Sequence, residues 1–224
     1  MRLISNILIH SLFFFEMKRR EIILSGILVI FYTVGIVGTH ISAYKDSFFG
    51  LSYFNLLLSF VILILARNDK NKAFCGFLGF AFFIGMLVEW IGVHTGLLFG
   101  DYYYGKNLGF KVFEVPLVIG LNWAMLTVVS SSLVSKINTN GLIKIILSAL
   151  VMTLFDMLME PVAIRSDFWL WKDGVIPFYN YVCWFLISLI LQAIYFRFNL
   201  VESNKVHNLL LLCMTIFFVS LILF

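Results

Sequence analysis

LIKIILSALVMTLFDMLMEPV, residues 142–162, has the length and apolarity of a segment that crosses a bilayer, yet it carries Asp156 and Glu160. A spanning helix needs about 20 consecutive, mostly apolar residues. The two carboxylates stand four positions apart, hence on one helix face, with Pro161 directly behind. On insertion scales a central Asp costs about 2.5–3.5 kcal/mol, and such groups as a rule face a protein interior or a water-filled cavity. The stretch therefore predicts a helix bundle that encloses polar chemistry.

The rest of the chain agrees. Of 224 residues 62% are hydrophobic and only 12% charged, against roughly 25% charged in an ordinary soluble domain. The predicted fold class is all-α, a polytopic membrane protein of about seven transmembrane helices. The expected spans are 22–43, 51–66, 74–99, 115–135, 142–162, 176–196 and 206–224. The second is short, and the third is long enough to tilt or project. Residues 22–224 read as one integral membrane domain, and 1–21 as an N-terminal cytoplasmic or interfacial segment. MRLISNILIHSLFFFE at 1–16 is too short to span and lacks the small-residue cleavage site of a signal peptide. It reads as an interfacial stretch, or as sequence upstream of a start at Met17.

Lys and Arg concentrate in cytoplasmic loops of membrane proteins. With the N-terminus inside, one side collects Lys18, Arg19, Arg20, Arg67, Lys70, Lys72, Lys136, Lys144, Arg197 and Lys205. The other side holds Lys45, Lys106, Lys111, Arg165 and Lys172. The expected topology puts the N-terminus in the cytoplasm, in the cell membrane. The formal charge of +4 is spread over loops and gives no support to nucleic-acid binding. Cys75, Cys183 and Cys213 lie in apolar runs without paired spacing, so neither a disulfide framework nor a metal site is expected.

Self-similarity is a fold-level signal, and two stretches repeat. Glu89 is followed thirteen residues later by Tyr102 and fifteen later by Tyr104, then by Pro116 and, seven further on, Trp123. Asp156 is followed at the same intervals by Trp169 and Trp171, then by Pro177 and, seven further on, Trp184. Only the distance from second aromatic to proline differs, twelve residues against six. Two successive helix hairpins of this kind make parallel repeats related by an axis along the membrane normal, an arrangement familiar in transporters. The repeat predicts that Glu89 and Asp156 sit at equivalent depth and face a shared interior beneath aromatic loops.

The catalytic candidates are Glu89, Asp156 and Glu160, the last with the alternative of a hydrated interfacial acid where the helix ends at Pro161. Tyr102, Tyr104, Trp169 and Trp171 form either a substrate-lining lid or an ordinary interfacial aromatic belt. Asn122, Trp123, Asn180 and Trp184 join them as substrate-binding candidates, the asparagines to hold a water or orient a carboxylate. His94 pairs with Glu89 only awkwardly at i,i+5. Gly92, Gly96 and Gly100 at every fourth position read as a close-packing stripe.

Glu89 through Gly105, EWIGVHTGLLFGDYYYG, resembles the E-x-x-G-x-x-T-G-x-x-F-G-x-Y-x-Y signature of carotenoid-biosynthesis membrane proteins of the CruF type, carotenoid hydratases related to the bisanhydrobacterioruberin hydratases of archaea. VPLVIGLNW, FDMLMEP and FWLWKDGVIPFYNYVCW are similar to that family's Val-Pro-Leu…Trp, D-x-x-x-D-P and W-x-W-x-x-G…P-x-x-N-x-x-x-W segments. Two departures are Glu160, where the family usually has Asp, and Glu114, where a Gly often precedes Val-Pro. The resemblance implies addition of water to the terminal double bond of an acyclic (ψ) carotenoid end, giving a tertiary hydroxyl without oxygen or a redox cofactor. The partners it implies are the bilayer, a carotenoid of lycopene or γ-carotene type, and other enzymes of carotenoid synthesis.

Such a hydration needs a proton donor, a stabilised tertiary cation and a positioned water. A desolvated carboxyl group can hold its proton near neutral pH and act as general acid. Aromatic faces stabilise a cation by about 0.5–2 kcal/mol each. On this reading Asp156 and Glu89 share acid and base work and Glu160 orients water. A lycopene-cyclase-type enzyme would use the same cation and close a ring, and a transporter would leave its solute unchanged. A prenyltransferase would need a second Asp-rich motif, which the sequence lacks.

Overall fold

The computed structural model describes residues 19–224; the interfacial segment, the signal-peptide alternative and the start at Met17 fall on residues 1–18 and lie outside the described residues. Eight helices follow in order: α1 (Arg19–His40), α2 (Lys45–Gly50), α3 (Ser52–Ala66), α4 (Lys72–Thr95), α5 (Leu117–Val134), α6 (Gly141–Arg165), α7 (Phe178–Arg197) and α8 (Lys205–Leu223). Each expected span contains a helix, although the chain leaves it before the expected end at 41–43 and 96–99 and joins it late at 115–116 and 176–177, and six helices are long and apolar enough to cross a membrane. The exception is α3, whose 15 residues cover about 22 Å at 1.5 Å per residue, short of the ~30 Å hydrocarbon core. The protein is an all-α polytopic membrane protein.

Local chemistry sets the ends. Asn71 and Asn140 cap the repeat-starting helices α4 and α6, accepting from the backbone N–H of Phe74 at 2.8 Å and of Ile143 at 2.9 Å, the preferred side-chain answer to unpaired N-terminal donors. Pro116 and Pro177 sit at the N-caps of α5 and α7, where a missing N–H costs nothing. Gly96 ends α4 in the left-handed conformation at φ +64°. The glycines at 92, 96 and 100 therefore do not form a helix-packing stripe: α4 stops at Thr95, and Gly100 lies in the following loop at φ +118°. Pro161 does not end α6, which runs on to Arg165.

The chain winds around α5. In its spanning window 83% of residues are buried, against 28–39% in the other five long helices, so α5 is the central post and the rest expose a face to lipid. α4 packs along α5, and α6 along α7, as two hairpins.

Between the helices of each hairpin lies a short strand, β1 (Tyr102–Tyr104) in one and β4 (Trp169–Trp171) in the other. They pair antiparallel in the register Tyr102↔Trp171, Tyr103↔Leu170, Tyr104↔Trp169. Exchanging Tyr102 for Trp169 and Tyr104 for Trp171, the equivalence the sequence repeat defines, maps this register onto itself. The two hairpins are thus related by a pseudo-two-fold through the Tyr103–Leu170 pair. A second ladder, β2 (Lys111–Val112) with β3 (Val115–Pro116), turns at Phe113 and Glu114. Glu114 has φ +67°, a region that favours glycine, which is why a Gly suits this position in the resembling sequences.

Candidate functional site

Glu89 lies in the last third of α4 and is 4% exposed. Tyr102 and Tyr104 donate to its Oε2 at 2.5 and 2.7 Å, and Trp123 Nε1 donates to Oε1 at 2.9 Å. Two glycines permit this. A Cβ at Gly92 would lie 2.8 Å from the Tyr102 hydroxyl, and one at Gly85 would lie 2.8 Å from the Trp123 side chain. Burial, and after it the charge of Glu89, push both lid phenols well above the ordinary value of 10.0. Both remain O–H donors throughout the neutral range.

The acids of α6 are equally buried, Asp156 and Glu160 each 1% exposed. The interfacial alternative for Glu160 is therefore not what the fold builds. Trp169 and Trp171 donate to Glu160 Oε2 at 3.1 and 2.9 Å. Asn180 on α7 donates to Asp156 Oδ2 at 2.8 Å and to Glu160 Oε1 at 3.3 Å. Residue count aligns Glu89 with Asp156, but hydrogen bonding aligns it with Glu160. The reason lies in the donors. A phenol hydroxyl sits at the far tip of its ring, whereas the indole N–H lies on the ring flank, nearer the backbone. The tryptophan pair thus reaches only the acid one turn closer to the lid, and Asp156 lies a turn deeper without a lid contact.

The sequence candidates converge. Glu89, Asp156, Glu160, Tyr102, Tyr104, Asn122, Trp169, Trp171, Asn180 and Trp184 line one chamber of about 30 Å³, room for water at roughly 10–15 Å³ per molecule. Trp123 stands behind the wall, fully buried and stacked on Trp184 at 3.9 Å and 13°. Asn122 Oδ1 is buried without a hydrogen-bond partner among the described residues. His94 stays outside: its Nδ1 lies 3.0 Å from the Trp90 carbonyl and its Nε2 3.9 Å from Glu114.

Sequence reasoning missed Phe99, Ile119 and Met159, which complete the wall. Phe99 had a signal, since it occupies the Phe of the quoted signature. It also missed a neighbouring apolar cavity of about 310 Å³ between α1, α3 and α8. That cavity shares Ile119, Asn122, Met159 and Trp169 with the acid chamber, so the two adjoin.

Fold and site define a class: polytopic membrane proteins with an intramembrane acid cluster under an aromatic lid, opening onto an apolar cavity. The chain belongs to the carotenoid biosynthesis protein family, whose model matches residues 49–224. That match carries the acids, the lid and all helices from α3 onward, and ties the chain to carotenoid biosynthesis in a membrane. No curated protein and no solved structure matched the chain.

Proposed function

We propose that the protein is a carotenoid hydratase that adds water to the terminal double bond of an acyclic carotenoid end. One observation carries the reading: a small chamber lined by three buried carboxylates adjoins a much larger apolar cavity. The polyene end lies in the cavity and presents its last double bond across Asn122 and Met159. Asp156, bonded only through Asn180, protonates the less substituted alkene carbon; the π bond breaks and a tertiary cation forms. Glu89 and Glu160, each fixed by N–H or O–H donors, place negative charge against that cation, and the Tyr and Trp faces add cation–π stabilisation. Water held near Asn122 and Glu160 attacks the tertiary carbon. Its surplus proton passes to Glu160 and returns to Asp156 one turn away, so the acid is restored and no redox step occurs.

Donor number supports the division of labour. Glu89 accepts three side-chain hydrogen bonds and Glu160 three, the arrangement of fixed anions, while Asp156 accepts one. The charge bias of the loops supports a cytoplasmic N-terminus in the cell membrane, which puts the lid and acids toward the outer face. The test is expression in hosts accumulating lycopene or γ-carotene, with mass analysis of the pigments. A gain of one water per acyclic end is expected. An isomeric product would establish the cyclase instead, and unchanged pigment with both substrates would overturn the reading.

A further inference from the structure

The apolar cavity does not end inside the bundle. A groove of about 380 Å³ on the outside of α1 and α2 is lined by Thr33, Val34, Val37, Gly38, Ile41, Tyr44 and Phe48. Val34 and Phe48 also line the inner cavity. Phe48, half-buried on the six-residue helix α2, stands on the threshold between the two. Its ring rests against Gly38, where any Cβ would collide with it. Val34 and Val37 on α1, with Ile41 and Tyr44 in the turn that leads to α2, are exposed around the opening.

We infer that this groove is a binding site for the isoprenoid chain of the carotenoid, which passes from the bilayer between α1 and α2, past Phe48, with one end reaching the acid chamber. The occupant follows from continuity. Groove, cavity and chamber are joined by shared lining residues; the walls of groove and cavity are mostly apolar, broken by uncharged groups such as Thr33, Thr39, Ser52 and Asn55, and the carboxylates line the acid chamber. A long, methyl-branched polyene without charged groups matches that order. With one end at the acids, the remainder of the chain occupies the groove and the bilayer beyond it. The second end is therefore treated only after release and reinsertion. These residues precede the family-matched 49–224. The inference rests on the carotenoid reading of the acid chamber, but not on which chemistry the acids perform.

Val37→Cys, in a Cys75→Ser background that removes the exposed native thiol, reports on the groove. The protein is reconstituted in phosphatidylcholine vesicles with and without lycopene and labelled with an apolar maleimide. Lycopene is expected to slow labelling roughly tenfold at about ten times its dissociation constant, since the free fraction falls as 1/(1 + [L]/Kd). Leu186→Cys, on the lipid face of α7, should label equally in both. The same protection in an Asp156→Asn background keeps the outcome separate from catalysis. Ile41→Cys replaces Val37→Cys if that variant does not fold. Protection absent at both groove positions, or equal at Leu186→Cys, would overturn the inference, the first leaving bilayer acyl chains as the groove's occupant. In an active enzyme, Phe48→Trp should slow turnover more at limiting carotenoid than at saturation, and lycopene should yield free singly hydrated product before the doubly hydrated one. Equal loss at both carotenoid levels, or doubly hydrated product from the outset, would also overturn it.

Discussion

Trp123 and Trp184 stack 3.9 Å apart at 13°, and they are the same residue of the two repeats, each seven positions after the proline that starts its helix. The pseudo-two-fold thus runs through two indoles at the floor of the site and through the Tyr103–Leu170 strand pair at its roof. The symmetry is broken in the hydrogen bonds. Trp123 gives its N–H to Glu89, whereas Trp184 serves the site through its ring face alone.

Trp123→Phe keeps an aromatic ring in the stack and removes one donor from Glu89. A hydrogen bond to a charged group contributes about 1.5–3 kcal/mol, so product formation should fall about 10- to 100-fold with membrane yield unchanged. Trp184→Phe should cost far less. Pigment turnover per unit of folded protein checks both, and equal losses in the two variants would refute the asymmetry.

Asp156→Asn keeps the shape and the Asn180 contact but has no proton to give. General acid catalysis is worth about 10²–10⁴, and turnover should fall within that range. Glu160→Asp restores the residue of the resembling signature yet shortens the arm, moving its oxygens away from Trp169 and Trp171. An intermediate loss is expected, smaller than that of Asp156→Asn. If Asp156→Asn turns over normally, the proton comes from elsewhere.

The sequence reading recovers much of this site because its signals are local. The carboxylates within apolar runs, the aromatic-x-aromatic pairs and the prolines all act over one hairpin, so spacing alone singles out Glu89, Asp156 and the aromatic pairs that line the same chamber. Spacing misleads where ring geometry decides. Counting thirteen and fifteen residues pairs Trp169 and Trp171 with Asp156, but the reach of an indole N–H selects Glu160. The apolar cavity was illegible for a different reason. Its walls come from α1, α3 and α8, and which faces of three lipid-like helices turn inward is not written in a periodicity that lipid exposure flattens. The glycines at 92 and 96 show the same limit, since a small residue serves a close side-chain approach or a helix stop as readily as helix packing.

Gly105 follows β1 directly, and its N–H bonds the Phe168 carbonyl at 2.9 Å. A Cβ there would collide with the backbone carbonyl of Asp167, which cannot swing aside as a side chain can. Gly105→Ala should therefore part β1 from β4, loosening Tyr104 and Trp169 from their acids together. Expected outcomes are a lowered Tm in detergent and near-complete loss of product. Full activity at the wild-type Tm would mean that the strand pairing does not hold the lid.

The opposite end of the bundle should set the acid tolerance of the fold. Arg67, 3% exposed, donates to the carbonyls of Asp69 and Leu200 at 2.7 Å and to the Tyr195 hydroxyl at 3.1 Å. Its Nε lies 3.9 Å from Glu202. Burial acts to raise the Glu202 carboxyl, but donors from Asn204 and Asn68 and the Arg67 charge outweigh it and hold it below its ordinary 4.5. A depressed folded-state value means stability that is present above the unfolded value and is lost as pH falls through the folded one. Wild-type Tm should hold from neutral pH to about 5 and drop below about 4. Glu202→Gln, which cannot titrate, should start lower at neutral pH and lose less on acidification. Parallel falls in the two proteins would assign the acid sensitivity to another carboxylate.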